Sequence, residues 1–142
     1  MKRKNLFVMA LTFLMVFSMS VIVFAEEVEP PVDPEDDPTP YQYVSSAYAT
    51  CSVSAGTARS GAVVYGNTGV TKITVTYTLQ RKSGGSWSNV KSWSKTVNAR
   101  TFNESSTKAV SSGYSYRTKA SVTVYKGAAS ESFTVYSGTV SY

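Results

Sequence analysis

The chain of 142 residues has no histidine and a single cysteine, Cys51. Without imidazole, the commonest general acid–base group, the usual zinc ligand sets and a histidine-activated cysteine nucleophile are all excluded. One cysteine makes no internal disulfide. Cys51 stands in the alternating series Ala47, Ala49, Cys51, Val53, so a buried, inert thiol is expected, with an intermolecular disulfide as the alternative. Proline is scarce too, and its five copies all fall between Pro30 and Pro40. Acids are nearly missing from the rest of the chain. Seven of the nine Asp and Glu residues lie between Glu26 and Asp37, which leaves Glu104 and Glu131 beyond Tyr41. Two carboxylates near different predicted strands do not form a glycosidase pair. Gly84-Gly85 has no helix behind it to hold a phosphate, so it is a turn. The chain is therefore expected to be no enzyme, with no catalytic residue, metal site or cofactor.

What is present begins with an address. Lys2, Arg3 and Lys4 precede a run from Leu6 to Phe24 without a charge, and Val23-Phe24-Ala25 offers a signal-peptidase site. The run is also about long enough to span a bilayer, but Glu26 and Glu27 directly after Ala25 favour cleavage. Residues 1–25 are read as a signal peptide, with no stable membrane insertion after its removal and a secreted or cell-envelope location. The next stretch, EEVEPPVDPEDDPTP at residues 26–40, combines charge and proline with few apolar side chains. It reads as a disordered acidic linker. Subtracting these two segments changes the charge picture. Three of fourteen cations belong to residues 1–25, so residues 41–142 keep eleven Lys and Arg against two acids, a net +9 beside a −7 linker. A body of that sign is drawn to polyanions, with an attraction that fades in salt, and a linker of the opposite sign competes for it.

Residues 41–142 suffice for one domain with one core. Period-two alternation places strands near Val44 to Ala55, Ala58 to Tyr65, Val70 to Lys82, Trp87 to Val97, Ser106 to Val110, Tyr114 to Tyr125 and Ser132 to Val140, with glycines between or beside them. About seven short strands in that length indicate an all-β fold, a single β-sandwich of immunoglobulin or fibronectin type III kind. Tyr114 or Tyr116 stands where such sandwiches place a corner tyrosine. Gly138 suggests a bulge in the last strand.

The most legible piece is the hairpin from Val70 to Val97. Ile73, Val75, Tyr77 and Leu79 share one face and Thr74, Thr76, Thr78 and Gln80 the other. Pairing across Gly84-Gly85 sets Lys82 opposite Trp87. A regular ladder then puts Val90 inside and both tryptophans outside, whereas a slip by one residue buries Lys91 at a cost of several kcal/mol. A bulge between Val90 and Trp93 resolves the conflict, with Val90 and Trp93 in and Trp87 out beside Lys82. The spacing 87, 90, 93, 97 fits a helix face as well, but the intervening serines are poor helix formers.

Two surfaces follow. Arg81, Lys82, Lys91, Arg117 and Lys119 are expected on outward faces, and Trp87, Tyr65, Tyr125 and Tyr136 are expected to leave rings at least partly exposed. The candidate binding residues are Trp87, Lys82, Arg81, Arg117, Lys119 and Tyr125. They suit an anionic cell-envelope polymer or a glycan rather than nucleic acid. Self-association through the edge Ser132 to Tyr142, which lacks Lys and Pro, is the alternative. The runs LQRKSGGSWSNVKSWS (Leu79 to Ser94) and GYSYRTKASVTVY (Gly113 to Tyr125), with Glu131-Ser132, resemble small exported proteins of Gram-positive bacteria, β-sandwich families of unknown function. The likeness extends over most of residues 41–142. It implies envelope or extracellular residence and supports the sandwich, and it transfers no active-site residue.

Overall fold

A computed structural model describes residues 41–142, so the signal peptide and acidic linker read from the sequence lie outside the described residues. Eight strands follow in chain order: β1 (Val44–Ser54), β2 (Thr57–Gly66), β3 (Lys72–Ser83), β4 (Ser86–Val97), β5 (Thr101–Ala109), β6 (Ser115–Lys126), β7 (Ala129–Tyr136) and β8 (Val140–Ser141). They form two antiparallel sheets packed as a sandwich. One has the order β1-β2-β5; the other runs β4-β3-β6-β7, with β8 also pairing β6. The expected last strand is thus two, because the ladder on β6 stops at Tyr136 and resumes at Val140. The expected fifth strand starts five residues earlier, at Thr101, and its one core side chain, Phe102, is fully buried.

Alternation sets the faces. Ile73, Val75, Tyr77 and Leu79 of β3 and Tyr116, Ala120, Val122 and Val124 of β6 are buried between the sheets, where they meet Ala62 and Val64 of β2 and Phe102 of β5. Burying each of the larger side chains contributes about 1.5–3 kcal/mol. The Tyr77 hydroxyl is satisfied by Ser106 at 2.8 Å. A smaller apolar cluster of Ala58, Leu79 and Tyr116 lies apart from the main one. A buried hydroxyl pair, Ser60 and Thr118 at 2.7 Å, joins the two sheets, and the Thr118 hydroxyl also lies 2.8 Å from the Thr50 carbonyl. Cys51 is half-buried beside the smaller cluster rather than sealed in the core. Burial raises its pKa, and a hydrogen bond with Thr118 partly offsets that.

Local chemistry fixes the hairpin. Gly84 and Gly85 both have positive φ, at 60° and 85°, so a two-residue turn closes Ser83 against Ser86. Lys82 pairs Trp87 as the sequence predicts, but the register shift falls between Leu79 and Gln80, so Asn89 faces Gln80 and Lys91 faces Leu79. Val90 itself is the extra residue, and it packs against the smaller core cluster. At the start of β6, the Tyr116 hydroxyl donates back to the Ser111 carbonyl. Of the two candidate tyrosines, Tyr116 is thus the one tied back to the backbone just upstream.

Candidate functional site

The outer face of the sheet β4-β3-β6-β7 is built from residues that cross-strand register brings into rows. Side chains opposite one another in an antiparallel pair share a face. Thr96, Thr74, Thr123 and Ser132 form one row across the four strands, and Ser94, Thr76, Ser121 and Thr134 form the next. Ser92, Thr78, Lys119 and Tyr136 follow, then Asn89, Gln80 and Arg117, then Trp87, Lys82 and Ser115. At the opposite end, Lys72 pairs Tyr125. The face is therefore a field of hydroxyls with cations and rings at its ends.

Arg117 is the best-anchored cation. Its guanidinium carbon lies over the Trp87 ring at 4.3 Å and over the Tyr136 ring at 4.4 Å from the centroids. Its Nε donates to Gln80 Oε1 at 2.9 Å, and Gln80 Nε2 donates to Asn89 Oδ1 at 3.0 Å. A planar, delocalised charge suits that slot, where an ammonium would not stack. The Lys82 ammonium lies 5.9 Å from the centroid of the Trp87 ring, and that of Lys72 sits 4.0 Å over Tyr125.

The structure brings together five of the six candidate residues, Trp87, Lys82, Arg117, Lys119 and Tyr125, on this one face. Arg81 is not among them. It follows Leu79 on the inward series and pairs Tyr116, with its guanidinium 4.4 Å over the Tyr114 ring and its Nε buried without a hydrogen-bond partner among the described residues. The expected outward position fails because β-strand parity, not charge, decides the face. Lys91 shares that correction: opposite Leu79, it lies on the inner side and stays exposed only because β4 is an edge strand. Trp87 is on the outer face, half-buried beside Arg117, consistent with a ring at least partly exposed. Tyr65 is 43% exposed, yet it belongs to β2 in the other sheet. Sequence reasoning missed Lys72, whose even parity with Thr74 was a readable signal. It also missed Asn89, which needs the bulge at Val90 to be placed.

Charge sharpens the picture. Lys72, Lys82, Arg117 and Lys119 share a face that carries no acid among the described residues. Glu104 instead pairs Lys95 at 2.8 Å along the β4–β5 side, and that contact raises the Lys95 pKa. Glu131 accepts the backbone N–H groups of Gln42 and Tyr43 at 2.8 and 2.9 Å. Beyond the Lys82 end, an open cleft of about 520 Å³ is lined by Lys82, Gly85, Gly113, Tyr114, Ser115, Ser141 and Tyr142. Among the described residues, no three His, Cys, Asp or Glu converge as metal ligands, and no helix is long and apolar enough to cross a membrane.

No family model and no curated protein matches the chain. Among solved structures, it is similar to CsgH of R. palustris, known from a solution structure, at 12% identity and a TM-score of 0.41, over 63% of this chain and 88% of that one.

Proposed function

We propose that the protein is an exported, non-catalytic binding module that holds anionic or glycan polymers of the cell surface or extracellular space against the outer face of β4-β3-β6-β7. One observation carries the reading: Lys72, Lys82 and Lys119 lie on a single face that holds three aromatic rings and, among the described residues, no carboxylate. Cations beside flat rings attract extended anions and give them something to pack on. The sandwich itself is read as immunoglobulin or fibronectin type III-like, on the β2–β5 and β3–β6 neighbours and on the Tyr116 corner.

Retention of the exported chain on purified cell-wall polymer, followed across a salt gradient, tests this. Lys82→Glu combined with Lys119→Glu is expected to move elution to lower salt. Retention indifferent to salt, to that pair and to Trp87→Ala rejects the reading.

A second reading has one observation in its favour. β7 ends its sheet and contains neither Lys nor Pro, the residues that usually guard an open edge. Under that reading the protein self-associates through β7. Sedimentation showing a monomer at high concentration removes it.

A further inference from the structure

Five side-chain pairs run in file along the outer face of the β3–β4 hairpin. Thr74 and Thr96 lie 2.9 Å apart, Thr76 and Ser94 2.7 Å, Thr78 and Ser92 2.7 Å, and Gln80 and Asn89 3.0 Å. Lys82 and Trp87 make the fifth pair. Successive pairs are two residues apart, so the file extends roughly 27 Å at the strand rise of about 3.3–3.4 Å per residue. Its first four pairs carry no charge.

The hydrogen-bonding capacity of this file is distinctive. Each hydroxyl has one donor hydrogen and two acceptor lone pairs. When two hydroxyls bond to each other, one hydrogen is used and one remains, together with several lone pairs. The exposed pairs Thr74–Thr96 and Thr76–Ser94 thus present a donor and acceptors side by side, whereas Thr78 and Gln80 are buried and leave Ser92 and Asn89 as the reachable members of their pairs. A polyphosphate offers acceptors alone and leaves those lone pairs facing its own oxygens. A sugar offers hydroxyls, which donate and accept alike. The neighbouring strand supplies what a neutral sugar does not use: Lys119 sits beside Thr78 and Arg117 beside Gln80, with Lys72 just before Thr74 and Lys82 at the far end.

We infer that this face is a track for one chain of an acidic polysaccharide, its hydroxyls along the β3–β4 file and its carboxylates toward Lys72, Lys119 and Lys82. The inference rests on the reading of this face as a binding surface and names the class of polymer. Paired hydroxyls also stabilise a sheet, so the test compares binding among variants shown to be folded by their melting transitions.

The experiment measures binding of the exported chain to three probes: polygalacturonate, a neutral glucan of similar length, and inorganic polyphosphate. Thr76→Val with Ser94→Ala keeps the shape of the face and removes one hydroxyl pair. Polygalacturonate affinity is expected to fall about tenfold, the scale of one or two lost hydrogen bonds, while polyphosphate affinity stays within about twofold. Thr74→Val with Thr96→Val serves if the first variant does not fold, and Lys72→Gln with Lys119→Gln is expected to weaken polygalacturonate without touching a hydroxyl. Equal loss for polyphosphate and polygalacturonate, or no loss for either, overturns the track and leaves a general polyanion surface. Glucan binding as tight as polygalacturonate overturns the acidic part. If the unaltered chain binds none of the three, the underlying reading of the face fails with it.

Discussion

At the residue scale, Arg117 joins structure to surface. It lies over the Trp87 and Tyr136 rings and is hydrogen-bonded to Gln80, a side chain that is itself buried. Arg117→Lys keeps the charge but loses the planar stacking and the Nε–H donor. A loss of about 1–2 kcal/mol in urea denaturation is expected, since the Gln80 oxygen is left without that donor. The buried Ser60–Thr118 pair makes a different prediction. Thr118→Val leaves Ser60 and the Thr50 carbonyl short of a partner, at about 1–3 kcal/mol, and adding Ser60→Ala recovers part of that loss in a double-mutant cycle. Cys51 responds to pH. Burial raises its pKa, so the folded chain holds the thiol proton more tightly than the unfolded chain. That contribution is complete below the ordinary thiol pKa of about 8.5 and is lost as pH climbs through the raised value. Alkylation of the folded protein near that pH is expected to be slow, and to accelerate on adding urea; equal rates in both states contradict it.

At the element scale, the hairpin shows what the sequence could and could not tell. Its turn and the Lys82–Trp87 pair were legible because two adjacent glycines fix where the chain reverses. Trp87 and Trp93 are separated by an even number of positions, so a regular strand puts them on one face; some irregularity was therefore legible too. Its position was not. Val90 becomes the extra residue because Leu79 and Tyr116 offer it an apolar pocket, which is a tertiary fact. Deleting Val90 restores a regular ladder with both tryptophans on their present faces. It removes that packing, at an expected cost of about 1–3 kcal/mol by denaturation. Arg81 teaches the opposite lesson. The series Ile73, Val75, Tyr77, Leu79 already pointed it inward, and only its charge argued otherwise. The start of β5 was hidden because Thr101 to Ser105 holds one apolar side chain, Phe102, among polar ones. As for the candidate site, its face and five of its six residues followed from parity, while its hydroxyl pairing depends on a register that only the fold supplies.

At the scale of the whole molecule, stability rests on a core without covalent staples. Phe102 is the one large apolar side chain that β5 contributes to it. Phe102→Ala is expected to cost about 3–5 kcal/mol, a large fraction of the 5–15 kcal/mol typical of a domain, and to lower the melting temperature accordingly. The two ends of the sandwich are closed differently. Lys95–Glu104 ties β4 to β5 on one side, whereas Glu131 holds the backbone just before β1 on the other. Both acids of residues 41–142 are spent on these closures, away from the cationic face. Repulsion among Lys72, Lys82 and Lys119 opposes folding, and added salt is expected to raise the melting temperature while it weakens polyanion binding. A melting point that falls with salt contradicts that balance.

The extra residue at Val90 has an optical consequence. It sends Trp93 inward, stacked 5.6 Å from Tyr77, and leaves Trp87 outside beside Arg117. The protein thus carries two fluorophores in separate compartments. Emission from a Trp87→Phe chain follows unfolding and stays silent when the outer face is occupied. Emission from a Trp93→Phe chain follows occupancy while the fold is intact.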